Sequence, residues 1–172
     1  VYVMPTSGGV PHRITHYSGL DRMVEWHPDG QRILFASSRE HGQRSTRQFF
    51  LADQKGGMHE KLAIPYGELA TYSPDGSALV YITKITENYP FKRYRGGLTS
   101  DILHFDVEGK KVKRLTESHA IDGKPAWVGD KVVYLSDEGK NMRLNIWTVD
   151  PSSGERKQLT FLEDFDISYL SG

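Results

Sequence analysis

The 172-residue sequence contains no cysteine, which removes disulfides, thiolate metal ligands and a cysteine nucleophile together. A cysteine-free chain suits the cytosol, the periplasm or the exterior equally, so the redox compartment stays open. An excess of one charge is missing too. Twenty-two Lys plus Arg balance 22 Asp plus Glu, and no global attraction to nucleic acid or to an anionic membrane follows. No apolar run approaches the roughly 20 residues needed to cross a bilayer. The expectation is a soluble chain, cytoplasmic or periplasmic, with neither nucleic acid nor membrane among its partners. There is no Gly-x-Ser-x-Gly elbow and no His-Glu-x-x-His, and the chain on its own is expected to have no catalytic residues, metal or cofactor. Val1 to Met4 reads as the middle of a strand, so the chain looks like an excised piece.

What is present is a stretch stated twice. Trp26-His27-Pro28-Asp29-Gly30 leads into Arg32-Ile33-Leu34-Phe35, and Tyr72-Ser73-Pro74-Asp75-Gly76 leads into Ala78-Leu79-Val80-Tyr81. An aromatic, a Pro-Asp-Gly turn and a run of apolar β-formers spell a hairpin. Asp and Gly tolerate the backbone angles of a tight turn, and Pro fixes the approach to it. A third copy keeps Trp127 but shortens its turn to Val128-Gly129-Asp130, and Tyr169 marks a fourth. The aromatics are 46, 55 and 42 residues apart, the period of a four-stranded propeller blade.

Each unit predicts four strands. They are Met23 to Trp26, Arg32 to Ser37, Gln48 to Ala52 and His59 to Leu62; then Ala70 to Ser73, Ala78 to Thr83, Asp101 to Asp106 and Val112 to Thr116; then Pro125 to Val128, Lys131 to Ser136, Leu144 to Asp150 and Arg156 to Thr160. Asp166 to Leu170 predicts the first strand of a later unit. In Ile33 to Ala36, Leu79 to Ile82 and Val132 to Leu135 both pleat faces are apolar, so both must be buried. Lys111 to Leu115 is half charged, as befits an edge strand facing water. No window holds the 3.6-residue apolar stripe that a parallel α/β fold would need between strands. The expected fold is all-β: a β-propeller fragment with about three complete four-stranded antiparallel blades at 19–64, 65–118 and 119–161. Partial blades flank them at 1–18 and 162–172, and the second blade carries a long insertion. Trp26, Asp29, Gly30, Tyr72, Asp75, Gly76, Trp127, Gly129, Asp130 and Tyr169 define the repeat.

One stretch offers chemistry. Phe91-Lys92-Arg93-Tyr94-Arg95-Gly96-Gly97 sets three cations and two aromatics on a glycine-flexible loop. Because a guanidinium grips a carboxylate by two parallel hydrogen bonds, Lys92, Arg93, Tyr94 and Arg95 could hold a peptide carboxylate. Alternatively, Arg93 and Arg95 pair with acids of the adjacent blade while Tyr94 fills a gap between blades. Seven His residues form no metal-like pair: His12 and His16 flank a strand end, where residues four apart do not share a helical face. Asp137 to Asn141 lacks the alternating acids and distal Glu of a calcium loop and reads as a hairpin. The basic loop Arg39 to Arg47 reads as solvated.

These units, with an aspartate-ended strand and an Arg-Leu-Thr-like edge, resemble the TolB (PD40) propeller repeat over essentially the whole chain. The run Lys92 to Leu103, with Tyr94-Arg95-Gly96-Gly97, followed by Pro125 to Asp137 is similar to the N-terminal six-bladed propeller of tricorn-like serine peptidases. That resemblance implies a parent that hydrolyses peptides with Ser and His residues in domains C-terminal to this one. This portion would then shape access to, or exit from, the active chamber. Its partners would be the remaining blades and catalytic domains of the parent, and peptides through the parent. A TolB-like interaction scaffold without peptidase, or the propeller of a prolyl-oligopeptidase-type hydrolase, would share the broad repeat. Uncovered blade faces and strand edges predict self-association of the isolated chain.

Overall fold

The computed structural model describes residues 1–40, 47–85 and 92–170, all of them in strands, turns and loops. Phe91 of the basic stretch and residues 41–46 of the charged loop lie outside the described residues. The chain divides into two compact units, residues 1–68 and 69–172.

The first unit pairs β1 (Tyr2–Val3) with β2 (His12–Arg13) and builds one four-stranded sheet. That sheet runs in chain order through β3 (Asp21–Trp26), β4 (Arg32–Ser37), β5 (Gln48–Asp53) and β6 (Glu60–Lys61), all antiparallel. From Ile33 to Ala36 every side chain of β4 is buried, which satisfies the two apolar pleat faces. Phe35 stacks on Phe50 with ring centroids 5.6 Å apart, and His59 meets Phe35 edge-on. Ile14, Ile33 and Ala52 complete this core, with Val1 and Val3 packed against it. Outer strand β6 is only two residues long and exposed, so its ladder offers little to a wandering strand.

The second unit holds two four-stranded sheets. One runs β7 (Leu69–Tyr72), β8 (Ala78–Ile82), β9 (Leu103–Asp106) and β10 (Lys111–Arg114). The other runs β11 (Asp122–Val128), β12 (Lys131–Ser136), β13 (Asn145–Val149) and β14 (Arg156–Gln158). They share one core, to which the first sheet gives Val80, Ile82, Ile102 and Leu115 and the second gives Val132, Tyr134 and Val149. β11 packs on β7 and β8, and the Trp127 indole donates to the Thr71 carbonyl at 3.2 Å.

The repeated turns close as their residues predict. The Gly30 amide donates to the His27 carbonyl at 2.9 Å and the Gly76 amide to the Ser73 carbonyl at 2.8 Å. Both glycines take positive φ, 68° and 74°, where a side chain would be strained. The Asp29 carboxylate caps its turn by accepting the amides of Gln31 and Arg32 and the Arg32 Nε. Asp75 does the same with Ser73 Oγ and Ser77, and those hydroxyl and amide donors hold its carboxyl down at about 2. In the third unit Val128 pairs directly with Lys131. Only Gly129 and Asp130 form that loop, and Gly129 takes φ 62°, the positive angle that two-residue hairpins require at this place.

Two expectations shift in detail. β11 begins at Asp122, three residues before the predicted start at Pro125, because a bulge between Gly123 and Ala126 absorbs the irregularity. Lys124 occupies that bulge with φ 48°, and Pro125 follows it without breaking the ladder. Asp166 to Leu170 forms no strand. A strand exists through its pairing, and among the described residues no neighbour pairs with this segment. The Ile167 amide instead donates to the Leu144 carbonyl at 3.0 Å.

Phe35→Ala should lower unfolding stability by about 3–5 kcal/mol, since it opens a cavity against Phe50 and His59 that a β-sheet core cannot collapse into. Urea unfolding, read as a lower midpoint at unchanged slope, checks this.

Candidate functional site

The turns just described lie at one end of each sheet, while the longer connections of the second unit lie at the other. There the insertion loop, the β10–β11 and β12–β13 connections and the segment after β14 meet. Arg95 crosses between two of them. Its Nη1 donates to Asp137 Oδ2 at 2.8 Å and its Nη2 to the Asp137 carbonyl at 2.9 Å. Asp137, with a side chain only 2% exposed, also accepts the Ile121 amide on Oδ1 at 2.7 Å. One buried carboxylate therefore fastens three segments.

Lys92 pairs with Asp166, and Arg93 and Arg143 lie 3.8 and 3.9 Å from the same carboxylate. Asp166 also accepts the Leu144 amide at 2.9 Å. Burial opposes ionisation here, but Lys92 and the Leu144 amide outweigh it and hold the Asp166 carboxyl below its ordinary value. Arg93 has φ 61° and its Nε donates to the carbonyl of Met142, which itself has φ 47°. Two non-glycine residues in the left-handed region thus meet across neighbouring loops. The Tyr94 ring folds over Gly96, where an added Cβ would come within 2.4 Å of the phenol oxygen.

The four basic-loop residues are thereby brought together, with Lys92 and Arg95 engaged by protein carboxylates and Arg93 the more loosely held. A cavity of about 420 Å³ opens beside them, lined among others by Arg95, Ser118, His119, Glu138, Lys140 and Met142. Its lining combines the basic Arg95 and Lys140 with the acidic Glu138. At the turn end of this unit, a cleft of about 410 Å³ collects Asp75, His104, Trp127, Gly129, Asp130 and Asp150. Trp26 and Tyr72 end their inner strands next to the same type of turn. Tyr169 lies outside any described strand, 83% exposed, with Lys124 Nζ 4.1 Å from its ring centroid.

One set of functional groups escaped the sequence reading. Asp21 and Asp122 are the first residues of inner strands β3 and β11, and Glu68 immediately precedes β7. With Asp166 they are spaced by 47, 54 and 44 residues, in step with the aromatics. This acidic phase was the available signal. Asp21 pairs with Arg39 at 2.8 Å, and Glu68 with Arg22 and Arg47 at 3.1 and 2.6 Å. Asp122 is fully buried and forms no ion pair among the described residues. Burial pushes its carboxyl up to about 6, against the pull of Ser136 and Thr116. Among the described residues no group of three or more His, Cys, Asp or Glu could hold a metal ion, and no helix is long and apolar enough to cross a membrane.

Comparison with known proteins places this geometry. A family model described as the tricorn protease N-terminal beta propeller domain matches residues 1–172. The chain is similar to tricorn protease homolog 1 of Streptomyces coelicolor, 29% identical over 142 residues that cover 80% of this chain and 13% of the relative. It therefore spans a small part of the curated relatives it matches. Among solved structures, the tricorn protease superposes with TM-score 0.75 at 19% identity, covering 95% of this chain and 16% of that one. TolB from Acinetobacter baumannii does so with TM-score 0.70 at 22% identity, covering 95% and 38%. These two likenesses concern the fold alone.

Arg95→Ala should destabilise the second unit by about 1–3 kcal/mol, because it strands the buried Asp137 carboxylate without its cation. Arg95→Lys should recover only part of that, since an ammonium cannot reach side-chain and backbone oxygens with two separate nitrogens. Urea midpoints of the two variants against the parent test both statements.

Proposed function

Because the chain belongs to the tricorn protease N-terminal β-propeller family, we propose that it is the non-catalytic propeller portion of a tricorn-like serine peptidase, shaping how peptides reach or leave the active chamber. The observation that carries this reading is the match of the propeller model to all of residues 1–172. The hydrolytic residues would then belong to other parts of the parent, which also supply the neighbouring blades. On this reading residues 1–18, 19–64, 65–118, 119–161 and 162–172 are successive blade segments. The loop end of the second unit faces the peptide route, and Lys92, Arg93, Tyr94 and Arg95 present donors to a peptide carboxylate. Arg93, 3.8 Å from Asp166 and partly exposed, is the member most able to turn toward a ligand.

The test uses the full-length protein and matched peptides with free or amidated C-termini. Hydrolysis is expected, and Arg93→Ala should raise KM for the free-acid peptide about 5- to 20-fold with kcat unchanged, as loss of one charge-assisted carboxylate contact implies. The amidated peptide should not change. A folded parent that hydrolyses no peptide would overturn the peptidase reading in favour of an interaction scaffold. An unchanged KM would remove the carboxylate role alone.

The isolated 172-residue chain should self-associate, since Phe161, Phe165 and Tyr169 are exposed within one short segment, at 73%, 61% and 83%. Light scattering at rising concentration should show masses above the monomer, and a monodisperse monomer would count against it.

A further inference from the structure

The acid at the head of β11 differs from its counterparts in the sequence repeat. Asp21, Glu68 and Asp166 each face a cation within 4 Å. Asp122 is 0% exposed, receives Ser118 Oγ on Oδ2 at 3.4 Å, and has no partner on its buried Oδ1. A second carboxyl, Asp101, acts on it electrostatically and also has a buried Oδ1 without a partner. Its nearest cation is Arg114, 3.7 Å away.

The groups that face this pair from each packed element supply little positive charge. The connection after β10 provides Thr116, Glu117, Ser118 and His119, of which Thr116 and Ser118 bond to Asp122 and Glu117 raises Asp101 further. β12 provides Ser136 and Tyr134, and the loop after it provides Asp137, whose carboxylate is already committed to Arg95 and the Ile121 amide. β14 provides Arg156, whose guanidinium is bound to the Tyr134 hydroxyl at 2.8 Å and to Glu138. It acts on both acids from a distance. Asp122 is buried with no ion-pair partner among the described residues, beside a half-buried Asp101 whose cation, Arg114, is 53% exposed. Ionising both carboxyls therefore carries a penalty that falls mainly on Asp122.

Asp122 also joins the two sheets through its own backbone. Its amide donates to the Ser100 carbonyl at 3.0 Å, and Ser100 Oγ donates to the Asp122 carbonyl at 2.6 Å. Ser100 is itself buried and precedes β9. Ser118, the hydroxyl donor to Asp122, lines the cavity beside Arg95.

We propose that the Asp122–Asp101 carboxyl pair is a proton-operated latch between the sheets β7–β10 and β11–β14, closed while the pair holds a proton and loosened when it loses it. The direction follows from linkage. Burial raises both carboxyls, Asp122 to about 6, so between about pH 4 and pH 6 the folded latch retains a proton that an opened one releases. Stability of the junction is full below that window, falls as pH rises through it, and is level above it. The latch does not depend on the peptidase reading: it concerns opening of this junction whatever the parent does.

Hydrogen–deuterium exchange by mass spectrometry on the full-length protein at pH 4.5, 6 and 7.5, corrected for intrinsic exchange, tests it. Peptides covering Ser100 and Asp122 should lose about tenfold to a hundredfold in protection between the first and last pH, the range a shift of about two pKa units allows. Peptides in β4 and β5 should not follow. Asp122→Asn, which mimics the protonated acid, should flatten the profile and leave these peptides more protected at pH 7.5. A flat wild-type profile, or an Asp122→Asn profile parallel to the wild type, would overturn the latch. Should Asp122→Asn fail to fold, Asp101→Asn takes its place. It is expected to displace the wild-type transition to lower pH by removing the neighbouring charge, and an unmoved transition would likewise overturn the proposal.

Discussion

Everything in this chain follows from the requirement that its second strands be covered on both faces. Leu34 and Phe35 are neighbours in β4, point to opposite sides of the sheet, and are both 0% exposed. The same holds for Leu79 and Val80 in β8 and for Tyr134 and Leu135 in β12. At roughly 25 cal/mol per Å² of apolar surface removed from water, no single sheet can realise this gain alone. Each sheet must be flanked on two sides, which is the property of a repeat stacked around an axis. The shared core of Val80, Ile82, Ile102, Val132 and Tyr134 is that requirement met between two successive sheets.

With the faces committed to packing, polar chemistry is left to the ends of the sheets, and the two ends use it differently. At the turn end Asp29, Asp75 and Asp150 each accept nearby amides and hydroxyls, and the interactions close within a few residues. At the loop end the acids reach far along the chain: Asp137 to Arg95, Asp166 to Lys92, Glu68 to Arg22. The turn end is thus fixed locally and the loop end by tertiary contacts. Loops held on a rigid scaffold in this way are where propellers and other β-folds carry recognition. The peptide-facing role proposed for the loop end draws on the mixed charge that lines its cavity and on the two left-handed residues Arg93 and Met142 that meet beside it.

The four acids Asp21, Glu68, Asp122 and Asp166, which recur in step with the repeat, illustrate how a repeat diverges. They occupy equivalent places in sequence, yet their partners come from different loops and in one case are missing. Repetition keeps the carboxyl, while the loops around it decide whether it is an ion-pair anchor, as at Asp21 and Asp166, or a protonatable group, as at Asp122.

How much of this could be read beforehand depends on the range of each interaction. The hairpins were legible, because Pro28-Asp29-Gly30 and Pro74-Asp75-Gly76 fold on bonds between residues two to five apart, and the apolar runs at Ile33, Leu79 and Val132 announce two-sided burial. The bulged start of β11 at Asp122 was missed, since Gly123 and Pro125 read as a break until a partner strand absorbs the extra residue. The cations of the Lys92 to Arg95 loop were recognised as a group, and pairing of Arg93 and Arg95 with acids of the adjacent blade was one of the two readings, but which acids, more than 40 residues away, was not legible. Sequence by itself determined the period, the turns and the all-β class, because those rest on local backbone geometry and side-chain alternation. Only the tertiary structure decided which carboxylates meet a cation and which, like Asp122, are buried without one, because that depends on how two sheets bring distant loops together.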